Sequence, residues 1–219
     1  MSCNQMPACS KIKNVIFDLG VVLFELDYGL TVDAFKTLGV ENHEQIFTEA
    51  RQLRLFDRFE RGELKVPEFL EGIQKLIPEG ATNQAIIEAW NAMLLGFPER
   101  SIVLLERLRP RYQIYLLSNT NDLHFARFHE MIKGQHGLDG LDQYFDGVYY
   151  SHIEGMRKPE PMFYQRLLEQ ERLVPSETVF IDDMIKNVKG AEDVGIRGVL
   201  LEREVMVAEL FDENLEILG

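Results

Sequence analysis

Four separated stretches carry the side chains best suited to chemistry: Asp18, Ser118-Asn119, Arg157-Lys158, and Asp182-Asp183 with Asn187 close behind. Each lies where an apolar run gives out or in the loop that follows one. Taken singly they are ordinary. A lone aspartate after Val15-Ile16-Phe17 is a nucleophile, a metal ligand, a cap or a turn former. Ser118-Asn119 is common turn chemistry. A lysine before Pro159 is a loop charge, and Asp182-Asp183 suits an N-cap with a surface neighbour. Taken together they suit one task. Converging carboxylates without a counter-charge repel one another and shift their pKa values. A hard divalent cation relieves this, and an oxygen-only ligand set favours Mg²⁺ over zinc. An Mg²⁺ with open positions takes phosphate oxygens, and the Ser118 hydroxyl, Asn119 amide and Lys158 ammonium are suitable donors to those oxygens. Asp18 is then a candidate nucleophile towards phosphorus, forming an aspartyl-phosphate.

That grouping needs strands to deliver it. Val15 to Phe17 is a bounded, unalternating, β-branched run, as in a strand covered on both faces. Further strands are predicted over 113–117, 147–150, 178–181 and 198–201. Between them lie helices over 102–108, 123–132, 159–169 and 186–194, with Pro159 and Pro161 in the first turn of the third. A terminal helix is predicted over 205–211. Alternating strands and helices predict an α/β core with a Rossmann-like, doubly wound parallel sheet and right-handed crossovers. In such a sheet ligands bind at the carboxyl ends of the strands, which is where the four stretches lie.

From Tyr28 to Phe97 no strand pattern appears. Apolar residues recur at helical spacing through Leu30–Leu38, then Ile46, Ala50 and Leu53, then Phe69–Leu76, then Ala85–Met93. This predicts a four-helix, all-α cap over 28–97, inserted into a discontinuous core of 14–27 and 98–219, with 1–13 a ragged tail. The segment 20–27 between them reads as an extended arm.

Bulk properties set limits. The chain has 219 residues, 46% hydrophobic and 27% charged, with 23 basic against 36 acidic residues. A net charge of −13 argues against nucleic acid as a partner. No apolar run reaches the length of a membrane helix, and residues 1–13 lack the apolar core of a signal peptide. The two cysteines, Cys3 and Cys9, supply no disulfide framework for the body. A cytoplasmic protein, monomeric or weakly homodimeric, is expected.

The sequence Phe17-Asp18-Leu19-Gly20, then Leu117-Ser118-Asn119-Thr120, then Arg157-Lys158-Pro159-Glu160, then Phe180-Ile181-Asp182-Asp183 with Asn187, resembles the four motifs of the haloacid dehalogenase superfamily. The likeness runs from Asn14 to Leu201. In detail the chain is similar to the glucose-1-phosphatase-like branch, through Asp18-Leu19-Gly20, Ser118-Asn119-Thr120-Asn121 and the cap stretch Arg58-Phe59-Glu60-Arg61-Gly62-Glu63. The resemblance implies Asp18 as nucleophile and Mg²⁺ ligand and the Gly20 carbonyl as a second ligand. It implies Asp183 as a direct ligand, and Asp182 as one directly or through water. Ser118 and Asn119 would hold the phosphoryl oxygens, Ser118 ranking also among the catalytic groups. Lys158 would neutralise nucleophile and transferring group, and Asn187 would stand behind the ligands. Arg58 and Arg61 would either reach in from the cap to read substrate or form ion pairs on the cap itself.

One departure stands out. Most phosphatases of this superfamily carry a second aspartate two residues after the nucleophile, as acid and base; here that position is Gly20. Glu25 or Asp27 on the arm, or Asp57, Glu60 or Glu63 on the cap, are the substitutes the sequence offers. Trp90 reads as packing. His124, His129 and His136 lack the regular spacing of a metal site, and His152 lies nearer the chemistry. The expectation is an Mg²⁺-dependent phosphomonoester hydrolase for a small phosphorylated metabolite, foremost a sugar phosphate. The rivals are a metal-independent haloacid dehalogenase-type hydrolase and a phosphometabolite-binding protein with impaired catalysis.

Overall fold

The computed structural model describes residues 11–40, 54–202 and 204–218. Its centre is a five-stranded parallel sheet. Strand β1 (Asn14–Phe17) precedes a two-residue strand β2 (Glu25–Leu26), whose partner is β3 (Leu94–Gly96). The sheet continues with β4 (Gln113–Ser118), β5 (Gly147–Tyr150), β6 (Thr178–Asp182) and β7 (Arg197–Leu200). The order β5-β4-β1-β6-β7 puts β1 in the middle. Val15 aligns with Ile114 and Val179, and Phe17 with Leu116 and Ile181.

Alternation decides what each strand residue buries. Val15, Phe17, Ile114, Leu116, Val179 and Ile181 share one core cluster. Ile16, Tyr115, Leu117 and Phe180 belong to another. The period of two sends neighbours to opposite faces, and both faces are covered. Helices α5 (Glu99–Leu108) and α6 (Asp122–His136) bring Leu104, Leu105, Phe128 and Ile132 to the first face. Helix α8 (Pro161–Glu171) and helix α9 (Ile185–Glu192) bring Phe163, Leu167 and Ala191 to the second. A short helix α7 (Ser151–Glu154) follows β5.

A third apolar cluster forms away from the sheet. Helices α1 (Tyr28–Thr37), α2 (Leu55–Glu60), α3 (Val66–Gln74) and α4 (Asn83–Asn91) supply Phe35, Phe59, Phe69, Ile73, Ile86 and Trp90, and Leu123 joins them from α6. The Phe59 and Phe69 rings stack 4.0 Å apart. Asp27 caps α1 by accepting from the Gly29 amide. Thr31, buried in α1, ties that helix to α4: its hydroxyl donates to the Trp90 carbonyl and accepts from the Met93 amide.

Three expectations are corrected. The stretch 28–97 does contain a strand: β3 pairs antiparallel with β2, and its three residues are too few to leave a period. Helix α8 begins at Pro161, so Pro159 lies before it. The predicted terminal helix is a single 3₁₀ turn, Val207–Leu210, after which Phe211 pairs with Ile217. The Asp212 carboxylate there accepts from the amides of Asn214 and Glu216, folding the chain back. Helix α2 has no pattern of its own in the sequence, whereas the helix expected around Ile46, Ala50 and Leu53 lies outside the described residues, as do Cys3 and Cys9. Among the described residues no helix is long and apolar enough to cross a membrane.

Candidate active site

Parallel register delivers Asp18, Ser118 and Asp182 to one edge of the sheet. Asp18 follows β1, its amide still donating to Ile181 as if the strand continued. Ser118 and Asp182 are the last residues of β4 and β6. Between Asp18 and Asp182 lies the Lys158 ammonium, 1% exposed, 2.7 Å from Asp18 Oδ1 and 2.8 Å from Asp182 Oδ2.

Lys158 comes from a loop, so something must hold the loop. Asn119 does: its Oδ1 accepts from the Lys158 amide at 2.8 Å and its Nδ2 donates to the Lys158 carbonyl at 3.0 Å. Asn119 lines the cavity, but its amide is engaged in clamping Lys158. The turn after β4 is locked in turn by Ser151, which accepts from the Thr120 amide and donates to the Thr120 carbonyl. Asn187 donates to both oxygens of Asp182, and the Met184 amide to Oδ1. Lys158, Asn187 and the Met184 amide thus fix the Asp182 carboxylate.

The electrostatics follow from burial. Asp18, Asp182 and Asp183 each offer an oxygen, all within 4.8 Å of one another. Burial pushes the Asp18 carboxyl up, to about 7; Lys158 opposes the rise and Asp182 adds to it. Burial and then Asp182 raise Asp183. Burial pulls Lys158 down, yet Asp18 and Asp182 outweigh it and the ammonium is held charged. Three carboxylates thus face one buried ammonium. An oxygen-rich set with that excess of negative charge fits a hard divalent cation.

These groups floor a cavity of about 300 Å³. Asp18, Gly20, Ser118, Asn119, Lys158, Asp183 and Asn187 line it from the core. Phe24, Leu26, Phe56, Trp90, Met93 and Leu94 make an apolar wall, with Tyr28, Glu60, His124 and Lys186 as polar breaks. Tyr28 and Lys186 escaped the sequence reading. A signal for Lys186 existed, three residues past Asp183 at the start of α9; Tyr28 looked like an ordinary helix start. The Tyr28 hydroxyl is pushed up to about 12, by burial and then by Asp183, Asp18, Glu60 and Asp182.

Several expected residues are placed elsewhere. Arg58 lies beside Glu63, 3.6 Å away and half exposed, and Arg61 binds Glu160 with two nitrogens; neither lines the cavity. Arg58 has its partner on the cap, whereas Arg61 pairs across to Glu160 of the core. Of the five acids offered for the position of Gly20, Glu25 pairs with Arg100, Asp27 caps α1, Asp57 pairs with Arg157 and Glu63 lies beside Arg58. Glu60 lines the cavity. His152 lies beside Asp122, off the cavity lining. His129 and His136 contact the carbonyls of Asp139 and Phe97. His124 stacks on Trp90 with ring centroids 5.2 Å apart. Burial keeps the ring neutral, pushing its pKa down to about 4, and the partners set its tautomer: Nε2 donates to the Trp90 carbonyl and Nδ1 accepts from Asn121.

Comparison with known proteins bears on this geometry. Residues 12–195 match the family model of the haloacid dehalogenase-like hydrolases. The chain is 29% identical over 184 residues to a D-ribitol-5-phosphate phosphatase of Bacteroides thetaiotaomicron, covering 84% of this chain and 89% of that one. It is 28% identical to a sesquiterpene phosphatase of Aspergillus oryzae, covering 88% and 91%. A HAD family enzyme of B. thetaiotaomicron, solved in complex with magnesium and inorganic phosphate, superimposes with a TM-score of 0.80. There the identity is 34% and the coverage is 92% of this chain and all of that one.

Proposed function

The chain belongs to the haloacid dehalogenase-like hydrolases, and on that premise we propose that it is an Mg²⁺-dependent phosphomonoester hydrolase acting on a small metabolite, foremost a sugar phosphate, through an aspartyl-phosphate. The observation that carries this is the cluster of Asp18, Asp182 and Asp183, with the buried Lys158 ammonium between the first two. Asp18, the Gly20 carbonyl, Asp182 and Asp183 are the groups that would hold the ion. When bound, the ion supplies positive charge to the carboxylates and to phosphoryl oxygens. Asp18 attacks phosphorus, Lys158 offsets charge on the nucleophile and the transferring group, and Ser118 donates to a phosphoryl oxygen. Asn119 and Asn187 act one step back, on Lys158 and on Asp182.

A cavity of about 300 Å³ suits a small leaving group. A polyol or sugar phosphate is supported by the likeness to the ribitol-5-phosphate enzyme. The segment 28–97 is read as the cap that meets the leaving group, over a core of 14–27 and 98–219. The net charge of −13 speaks against nucleic acid, and a cytoplasmic monomer or weak homodimer completes the proposal. A halocarboxylate is disfavoured, because three carboxylates against one ammonium would repel it.

The test is a screen of sugar and polyol phosphates for phosphate release with and without Mg²⁺. Release should require Mg²⁺, and Asp18→Asn should reduce it by roughly 10⁴-fold. Metal-independent halide release from a 2-haloacid, or full activity in Asp18→Asn, would overturn the assignment.

A further inference from the structure

Phosphate-ester hydrolysis needs a proton for the departing oxygen and a base for the attacking water, and Gly20 supplies neither. A Cβ at position 20 would lie 2.7 Å from Leu26 Cδ1, the tip of a side chain from β2 that packs over the glycine and would have to turn aside for a larger residue. The donor must come from another wall. Among the described residues, Glu60 is the one carboxylate outside the Asp18, Asp182 and Asp183 group that lines the cavity. It ends α2, so it meets the cavity from the cap while Asp18 meets it from the core.

We propose that Glu60 is the general acid and base of this site, taking the place that Gly20 leaves vacant. The assignment rests on the phosphatase reading above. Glu60 Oε2 lies 2.6 Å from Arg157 Nη2, and Arg157 Nη1 lies 2.6 Å from Asp57 Oδ1. Arg157 directly precedes Lys158, so one loop places the ammonium at the phosphoryl site and anchors Glu60. Glu60 Oε2 is buried, and its contact with Arg157 is an ion pair without hydrogen-bond geometry. Burial raises the Glu60 carboxyl, with Arg157 opposing and Asp57 adding to the rise. The other polar breaks in the wall serve less well. Tyr28 is more than half exposed, both ring nitrogens of His124 are engaged, and the Lys186 ammonium is exposed at the rim.

The proton count closes. Asp18 Oδ forms a bond to phosphorus as the bond to the ester oxygen breaks. The electron pair goes to that oxygen, which takes the Glu60 proton and leaves as an alcohol. The Glu60 carboxylate then takes a proton from water as the water oxygen attacks phosphorus. The Asp18–phosphorus bond breaks, its electron pair returning to the carboxylate. Glu60 ends protonated, and ester plus water have become alcohol plus phosphate.

The experiment is leaving-group dependence in Glu60→Gln, with Mg²⁺ present. For a polyol phosphate, whose alkoxide is a poor leaving group, kcat/KM should fall by about 10²–10⁴-fold. For 4-nitrophenyl phosphate, whose leaving oxygen departs unprotonated, kcat/KM should stay within a few fold. Equal losses on both esters, as a purely structural role would give, or no loss on either, would overturn the proposal. If Glu60→Gln fails to fold by circular dichroism, Glu60→Asp carries the same test, with selective loss expected again. Failure of the wild-type chain on both esters would overturn the phosphatase reading itself, a result distinct from loss of selectivity.

Discussion

The two walls of the cavity are built on different physical terms. On the core side Asp18, Ser118, Lys158 and Asp182 are 9%, 3%, 1% and 0% exposed, so none has room to move. Each is placed by a strand end or by a clamp such as Asn119 or Asn187. On the cap side Glu60 rides on a six-residue helix. It is joined to the core by partly exposed ion pairs: Arg157 with Asp57 and Glu60, and Arg61 with Glu160. The groups proposed to meet the phosphoryl moiety are therefore set by hydrogen bonds in a dry environment, where preorganisation is worth most. The groups proposed to meet the leaving group are held by contacts that water can compete for. A site built this way keeps one chemistry while its outer wall moves or varies.

The largest effect that could break this contrast is at Lys158. Replacing it by methionine leaves Asp18 and Asp182 buried without their ammonium, and removing one partner of a buried pair costs about 3–5 kcal/mol. The methionine also loses the contact of the ammonium with the Phe180 ring, now 5.2 Å from its centroid. Lys158→Met should therefore lower the urea midpoint sharply in the absence of divalent cation, and abolish phosphate release. A loss under about 1 kcal/mol would mean that the core wall is no more rigidly set than the cap.

A second effect tests the seam between the walls. His124 stands on α6 in the core and leans on Trp90 in the cap. Its ring is neutral in the fold, with the pKa pushed down to about 4 by burial from an ordinary 6.5. Stability tied to it is therefore fully present above pH 6.5 and declines as pH falls from 6.5 towards 4. The decline amounts to at most about 3 kcal/mol. His124→Gln keeps a donor for the Trp90 carbonyl and cannot titrate. It should flatten the acid limb of stability over that window, read by urea unfolding. Trp90 is the only tryptophan of the chain, so its fluorescence reports the cap. An unchanged limb would place the acid sensitivity in the carboxylates of the core.

The core wall was also the more legible in the sequence. A strand buried on both faces leaves a bounded apolar run, and the residue that ends it is the residue at the sheet edge. So Asp18, Ser118 and Asp182 could be grouped before any coordinates. The cap wall resists this. Periodicity finds the buried face of α3 or α4, but Glu60 is placed by where a short helix docks, and nothing local in Leu55–Glu60 records that. A side-chain amide at a strand end, such as Asn119, reads as a donor to the phosphoryl group. That its amide would be engaged with the Lys158 backbone depends on a contact across 39 positions of sequence. Leu26 covering Gly20 is likewise a contact between an arm and a turn, invisible to any pattern along the chain.

The smallest effect is expected where the cap meets the core beside the site, and it sharpens the contrast most. Arg61 binds Glu160, two residues after Lys158, with side chains 14% and 39% exposed. Arg61→Met should cost about 0.2–1 kcal/mol, as partly exposed pairs do, against several for Lys158→Met. Its kinetic signature should also differ. Loosening the cap on the Glu160 side leaves Asp18, Lys158 and Asp182 where they are, so kcat for 4-nitrophenyl phosphate should hold within about twofold. The loss should fall on KM for a polyol phosphate, by less than about tenfold, or ~1.4 kcal/mol. The exchanged pair, Arg61→Glu with Glu160→Arg, should recover most of it if attraction across the seam is what matters. A loss in kcat for both esters, unrepaired by the exchange, would mean that Arg61 acts on the Lys158 loop itself, and that the outer wall helps set the inner one.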